Sequence, residues 1–323
     1  MDNMEVYKKT FGFSLRRLGW DILSVLLLGV LCVVGFLIVD KTSGDGLIGL
    51  LIGLLIGLVV LAVIMRWVSY KYKAGQIAMM TRGVTEGTLP EDVIGEGKKI
   101  VRERFATVAA FFAVTKIIKG IFSEISRVIT KAGESIGGDT GSTIASVISS
   151  IISVVVSYLC DCCLGWVFFR HDVKSAKATC EGAVLFFKHW KTLAKNMARV
   201  FAFALVSLVV IGGVFFGIAY LIFSQFPAWF ETLAKEIAEI AASDGAQVAS
   251  VLTDPGSLTL IAAAAIGVIV WLILHSVFIR PFVLVGVLRN YMESGVNDIP
   301  EESSFSMLDG KSKKFQKLHA EAV

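Results

Sequence analysis

The sequence predicts an all-α integral membrane protein, a bundle of about six transmembrane helices with peripheral amphipathic helices. Hydrophobic residues make up 55% of the 323 residues, charged residues make up only 18%, and the mean hydropathy is +0.73. A soluble globular protein carries about 25% charged residues. This composition therefore excludes a soluble domain, a disordered chain and a disulfide-rich secreted fold.

Six apolar segments are candidates for the transmembrane helices, since a span takes about 20 residues. Five are clear from their length and apolar content: residues 22–39, 47–65, 143–169, 200–223 and 258–279. The sixth, residues 105–122, contains Lys116 and Lys119, so the alternative is an amphipathic segment on the membrane surface. The first segment lacks a small-residue cleavage site before Asp40, and we expect it to be retained as a span.

The distribution of basic residues indicates how segment 105–122 is placed. Of the 31 Lys and Arg residues, 25 lie in four stretches, at residues 1–21, 66–104, 170–199 and 280–323. Cytoplasmic loops are enriched in Lys and Arg, and all four stretches lie on the same side only if segment 105–122 crosses the membrane. We therefore expect six spans with both termini cytoplasmic. Five spans and a surface segment remain the alternative.

This topology divides the chain into three transmembrane hairpins joined by basic segments. The hairpins cover residues 22–65, 105–169 and 200–280, and the last two carry an external amphipathic segment. The cytoplasmic parts are an amphipathic segment at 1–21, a helical loop at 66–104, a basic loop at 170–199, and a tail at 281–323 that we expect to be mobile after Pro300. An apolar residue followed by Arg ends each hairpin, so an internal helical-hairpin repeat is a further hypothesis.

Glycines recur at helical spacing in two of the predicted spans. Gly49, Gly53 and Gly57 share one face of the second span, and Gly213 and Gly217 form a shorter pattern in the fifth. Small residues let two helix backbones approach closely within a membrane. We therefore predict that these are helix-packing positions, and the alternative is a glycine face that lines a path.

The fourth span carries the most unusual polar pattern. Ser146, Ser150, Ser153 and Ser157 share one face at about 100° per residue, and Asp161 extends this serine stripe. A carboxylate inside a membrane is costly and is a functional candidate by default. The stripe predicts either a polar route through the bundle or a seam of small residues between helices.

Two further polar residues are candidates for contact with Asp161. Lys116 lies at a similar depth on the third span and is the predicted ion-pair partner, although its side chain could instead extend to the membrane surface. His275 lies near the inner end of the sixth span and could form a proton relay with Asp161, or could simply be a packing residue.

The cysteines and the absent motifs limit the chemistry. Cys160 and Cys163 lie one helical turn apart and are weak metal-ligand candidates, but a metal site needs three or four convergent ligands. We therefore expect no metal and no cofactor. The sequence contains no phosphate-binding loop, metalloprotease motif or nucleophile motif, so neither an enzyme nor a nucleic-acid-binding protein is expected.

These observations predict a transporter or channel for an ion or small solute. The polar route would comprise Asp161, the serine stripe, Lys116 and His275. The alternative is a non-transporting scaffold or an accessory subunit of a larger membrane complex. The expected partners are the lipid bilayer, anionic lipid at its inner surface, and a second copy of the chain or another membrane protein.

Overall fold

The computed structural model describes residues 1–44, 46–134, 156–189, 200, 202–243 and 250–322, and every regular element in these ranges is helical. The chain forms two compact units, a larger one of Met1–Arg199 and Arg280–Val323 and a smaller one of Val200–Ile279. Four described helices are long and apolar enough to cross a membrane: Asn3–Ser43, Ile48–Thr85, Ala202–Phe223 and Pro255–Val296. The chain is therefore consistent with an integral membrane protein.

The first helix, α1, runs without interruption from Asn3 to Ser43. It begins where the Asp2 side chain accepts a hydrogen bond from the Glu5 backbone N–H, and it ends at Gly44, whose φ of 75° is left-handed. At 1.5 Å per residue, α1 is about 60 Å long, twice the thickness of the hydrocarbon core. The predicted N-terminal amphipathic segment is therefore the first part of α1 rather than a separate surface helix.

The second helix, α2 (Gly46–Val68), packs against α1 through its glycine face. A methyl group placed on Gly53 would collide with the Leu31 carbonyl oxygen of α1, and one on Gly49 would collide with the Gly35 carbonyl oxygen. Gly57 approaches the Leu28 side chain in the same way. The two backbones therefore lie closer together than any larger side chain would allow.

The rest of the larger unit continues from α2. A π turn at Ser69–Lys73 leads into α3 (Ala74–Thr85), and α4 (Val93–Arg104) follows after a short loop. Then come α5 (Val108–Glu134), α6 (Val156–Phe169) and α7 (Ser175–Lys188). After Ile279, the chain returns to this unit as α11 (Arg280–Val296), α12 (Ser306–Asp309) and α13 (Lys313–Ala322).

The six predicted spans are not confirmed. The predicted third span, 105–122, coincides with a bend of 79° between α4 and α5, because Phe105 is extended and α5 begins only at Val108. If this bent pair is one broken span, the described residues contain five candidates rather than four. Of the predicted fourth span, 143–169, the described part is the short apolar helix Val156–Phe169. The hairpin repeat is not confirmed either.

The C-terminal tail is folded, so the prediction of a mobile segment after Pro300 was wrong. Phe305, Leu308, Phe315 and Leu318 are buried in a cluster with residues of α5 and α7, including Ile121, Cys180 and Val184. Ser312 begins α13, since its hydroxyl accepts a hydrogen bond from the Phe315 backbone N–H and donates one to Glu124. The tail is polar in composition, but its few apolar residues recur at helical spacing and form one buried face.

Replacing Ser312 by alanine is expected to loosen this docked tail. The variant loses the N-terminal cap of α13 and the hydrogen bond to Glu124 at 2.7 Å, and loss of a cap costs about 1 kcal/mol. We expect trypsin to cleave the tail at Lys313 or Lys314 several-fold faster, as measured by mass spectrometry of timed digests. Gln316→Ala, on the exposed face of α13, is the matched control. Equal cleavage rates in the two variants would contradict the role of Ser312.

The smaller unit comprises α8 (Ala202–Phe223), α9 (Pro227–Ser243) and α10 (Pro255–Leu274). A methyl group on Gly267 of α10 would lie 2.6 Å from the Gly212 carbonyl oxygen of α8. Apart from their own helix backbone, no atom of the described residues lies within 4 Å of a methyl group placed on Gly213 or Gly217, so the helix-packing role of these two glycines stays a prediction. The residue of α8 that approaches Gly267 is Gly212, the last residue of the π turn at Leu208–Gly212.

Candidate functional site

Asp161 lies in the middle of α6, and its neighbours on that helix are buried. Its side chain is 6% exposed, and Cys162, Cys163 and Trp166 are fully buried. Ser157 lies one helical turn before Asp161 on the same face. The carboxylate therefore projects from an otherwise apolar helix into the interior of the larger unit, where it needs a compensating charge.

Two cations from two other helices bind the Asp161 carboxylate. The Lys73 Nζ lies 2.7 Å from Oδ1, and the Arg280 Nη2 lies 2.5 Å from Oδ2. The same Arg280 nitrogen donates to the Ser157 hydroxyl at 2.7 Å and to the Ser157 carbonyl oxygen at 3.1 Å. Each carboxylate oxygen thus has its own cation, and Ser157 fixes the position of the arginine.

Both cations lie next to π turns. Lys73 is the last residue of the π turn Ser69–Lys73, and Arg280 directly follows the π turn His275–Ile279. A π turn inserts one extra residue into a helix, changes the direction of the side chains that follow, and is frequent at functional sites. In two separate helices, a π turn therefore lies at or directly before the cation that contacts Asp161.

A second charged pair, on α1, extends the cluster. Arg17 and Asp21 lie one turn apart, and the charge of Arg17 interacts with Asp21, Asp161 and Arg280. Asp21 is 5% exposed, and its Oδ1 has no hydrogen-bond partner within the described ranges. We call these five residues, Arg17, Asp21, Lys73, Asp161 and Arg280, the ion cluster. It contains three cations and two carboxylates, so it carries one excess positive charge.

The predicted pairing of Asp161 with Lys116 was wrong. Among the described residues, the ion-pair partners of Asp161 are Lys73 and Arg280. Helix α5 does pack against α6, but it does so through Ile118 and Phe122, while Lys116 and Lys119 lie on its exposed face. Matching the depth of two residues along the helix axis was therefore insufficient, because the direction around the axis decides contact.

The other predicted polar residues are distributed as follows. Ser157 belongs to the site, whereas Ser146, Ser150 and Ser153 lie outside the described residues. In the smaller unit, the His275 Nδ1 lies 3.1 Å from the Ser207 hydroxyl oxygen, and the Trp271 indole N–H donates a hydrogen bond to the same oxygen at 3.0 Å. The relay between His275 and Asp161 stays a prediction.

The cysteines show no ligand arrangement within the described part of the chain, where no group of three His, Cys, Asp or Glu residues could hold a metal ion. The Cys163 thiol is fully buried and faces the Thr179 carbonyl oxygen at 3.8 Å, and Cys160 is half-buried. On α7, burial raises the pKa of the Cys180 thiol to about 12, so this thiol stays protonated at neutral pH.

Sequence reasoning identified Asp161 and Ser157 but missed the four other charged residues of the cluster. Lys73, Arg280 and Arg17 were interpreted as topological charges, because each lies in one of the four basic stretches. The available signal was charge balance: a carboxylate in an apolar helix requires cations, and basic residues at the ends of neighbouring long helices can supply them. Asp21, just before an apolar run, gave the same signal.

No protein-family model matches this sequence, and neither a curated protein nor a solved structure is detectably similar to it. The site therefore has to be interpreted from its own geometry.

Proposed function

We propose that this protein is a transporter or channel that moves an ion or small solute along a polar route through its helices. The observation that carries the proposal is the ion cluster, because Lys73, Asp161 and Arg280 lie within apolar helices that are candidates for membrane spans or are shorter apolar segments. Ionisable side chains inside a membrane are costly and most often mark ion or solute pathways.

The geometry of the two ion pairs would allow Asp161 to exchange one of its cations for a solute. Each cation contacts Asp161 through a single nitrogen and a different carboxylate oxygen. One pair can therefore open while the other still neutralises the carboxylate, which avoids leaving a bare charge in the membrane. In the proposed cycle, a passing solute takes the place of one partner, and the helix that carries that partner moves.

The proposed orientation places both termini on the cytoplasmic side. It is supported by the 25 basic residues in the four stretches 1–21, 66–104, 170–199 and 280–323. These stretches would face the anionic lipid of the inner leaflet, which attracts clustered Lys and Arg near the membrane surface.

Flux through proteoliposomes tests the transport proposal. Purified protein would be reconstituted, and flux of protons, K⁺, Na⁺, Cl⁻, small carboxylic acids and small amines would be measured. The informative variant is Asp161→Glu, because it keeps the charge that holds Lys73 and Arg280 but displaces the carboxylate by about one bond length. We expect it to reduce flux at least tenfold. Asp40→Glu, at an exposed position near the end of α1, is the matched control.

The outcomes separate three situations. A loss of flux in Asp161→Glu but not in Asp40→Glu supports a route through the ion cluster. Flux that is equal in both variants places the route elsewhere. Absence of flux for every solute, in a wild-type sample that is inserted and melts cooperatively, would overturn the proposal.

A second candidate function is a non-transporting scaffold or subunit of a larger membrane complex. The favouring observation is that both Asp161 carboxylate oxygens are fully engaged, by cations from two different helices. Such an arrangement can also lock three helices together without any movement. The flux experiment distinguishes the two functions, because a structural lock predicts no flux of any solute through the correctly folded and inserted protein.

A further inference from the structure

The cations of the ion cluster are accessible, whereas its carboxylates are buried. The side chains of Lys73 and Arg280 are 28% and 22% exposed, while that of Asp161 is 6% exposed. Asp21 is 5% exposed, and Arg17 is half-buried. A molecule that approaches the cluster therefore meets positively charged groups before it meets a carboxylate.

The three cations also repel one another. The charge of Arg17 acts on both Lys73 and Arg280, and the charge of Arg280 acts on Lys73. Among the described residues, Asp161 is the carboxylate whose charge acts on all three cations, whereas Asp21 interacts with Arg17. Charges within a protein interact more strongly than charges in water. The excess positive charge therefore falls on Lys73 and Arg280, which share a single carboxylate.

The neighbouring ionisable groups do not offset this excess. Tyr158, whose ring centre lies 5.3 Å from the Arg280 guanidinium carbon, and Cys160 both interact with Arg280. A phenol and a thiol are ordinarily uncharged at pH 7. Lys119 interacts with Cys160 and adds a further positive charge near the cluster. Protonation of Asp21 would increase the positive excess as well.

Arg280 has hydrogen-bonding capacity that the described residues do not use. Its hydrogen bonds to them all come from Nη2, which donates to Asp161 and to Ser157. Its Nε is buried and has no acceptor among the described residues. A buried donor without an acceptor is rare, and a bound ion is one of the explanations for it. The guanidinium group can therefore serve a second negatively charged partner.

The cluster lies where such a partner is available. Arg17 and Asp21 come before the apolar segment 22–39, Arg280 directly follows the segment 258–279, and Lys73 follows the segment 47–65 after a few residues. Residues at the ends of membrane spans lie near the membrane surface. Both dissolved anions and the phosphate groups of lipids are present at that depth.

We propose that the ion cluster binds a singly charged anion through Lys73 and Arg280. One negative charge balances the excess of the cluster, and the ammonium and guanidinium groups donate hydrogen bonds to the anion. A small dissolved anion and the phosphodiester of a lipid headgroup share this chemistry. The inference goes beyond the proposed transport function, because the anion contacts the two cations rather than Asp161 and because binding requires no passage through the membrane.

Thermal unfolding of the full chain in a nonionic, lipid-free detergent tests this inference in two arms. In the first arm, chloride replaces the much larger anion gluconate at constant ionic strength. In the second arm, phosphatidylglycerol is added at constant gluconate, and phosphatidylcholine is the comparison lipid. A ligand that binds the folded state raises the unfolding midpoint as its concentration increases. We expect a rise of several degrees in at least one arm, and its concentration dependence gives the dissociation constant.

Two neighbouring variants change the charge balance in opposite directions. Arg17→Gln removes the excess, and we expect it to weaken anion binding about tenfold, the effect of one unit charge roughly 12 Å away at an effective dielectric constant of about 20. Asp21→Asn raises the excess to two charges and is expected to tighten anion binding severalfold. The double variant restores an excess of one charge, so its affinity should match that of the wild type. Asp40→Asn, at an exposed position near the end of α1, is the matched control for loss of a carboxylate.

The outcomes either support or overturn the inference. A rise with chloride alone identifies a dissolved anion as the ligand, and a rise with phosphatidylglycerol alone identifies a lipid headgroup. No rise in either arm would overturn the inference, and this wild-type result does not depend on whether a variant folds. Equal anion affinity in Arg17→Gln and Asp21→Asn would overturn it too. Because none of these results depends on flux, the anion site can fail while transport is found, and transport can fail while the anion binds.

Discussion

Asp161→Asn is expected to destabilise the protein by about 3–5 kcal/mol, the typical cost of removing one partner from a buried ion pair. The variant leaves Lys73 and Arg280 close together without the carboxylate that both contact. It also raises the imbalance of the ion cluster from one excess cation to two. The measurement is the thermal unfolding midpoint in detergent, which we expect to fall by many degrees or to be lost with the folded state.

Two further variants test whether the loss of stability comes from the ion pairs of Asp161. Asp40→Asn removes the same charge from an exposed position on α1, and its melting temperature should match that of the wild type. A triple variant with methionine at positions 73, 161 and 280 removes the pairs altogether, and we expect it to recover much of the stability, since apolar replacement of a buried ion pair is often tolerated. Equal melting temperatures of Asp161→Asn and Asp40→Asn would show that the cluster does not stabilise the fold.

Gly53→Leu is expected to separate α1 from α2, at a cost of about 3 kcal/mol. Even the first carbon of the new side chain would collide with the backbone carbonyl oxygen of Leu31. A backbone atom cannot rotate away as a side chain can, so the whole helix must move. Disulfide formation between single cysteines placed on the two helices would measure the separation, and thermal unfolding would measure the loss of stability.

The matched control for this substitution is Gly29→Leu on α1. Apart from the backbone of α1 itself, no atom of the described residues lies within 4 Å of a methyl group at Gly29, so leucine can be accommodated there. We expect wild-type stability and wild-type crosslinking in this control. If Gly53→Leu behaves like Gly29→Leu, the close approach of α1 and α2 is not required for the fold.

The sequence indicated that the Asp161 charge is costly to bury, but not which cations neutralise it. Asp161 was identifiable because a carboxylate stands out in an apolar segment, whatever surrounds it. Its partners were not, because contact between helices depends on the direction of each side chain around its axis. Lys116 has the right depth on α5 but lies on the exposed face, while Lys73 and Arg280 reach Asp161 from helices that contain π turns.

The direction of each residue around the helix axis also explains where the close glycine contacts fall in α2 and α8. The spacing of Gly49, Gly53 and Gly57 assumes 3.6 residues per turn, and α2 has this regular geometry, so the glycines face α1. In α8, the π turn at Leu208–Gly212 interrupts the regular helical spacing. The close contact with Gly267 of α10 falls on Gly212 instead of Gly213. A local backbone insertion of this kind leaves no recognisable pattern in a single sequence.

The sequence by itself indicated an apolar, helical membrane protein, its apolar segments and an acidic residue within one of them, because these depend on composition and on local hydrophobicity. Tertiary structure alone decided the ion cluster and the folded tail. Both join residues far apart in the chain, such as Lys73 with Asp161 and Glu124 with Ser312. The physical reason is that burial and charge pairing are properties of the space between helices, which no single segment specifies.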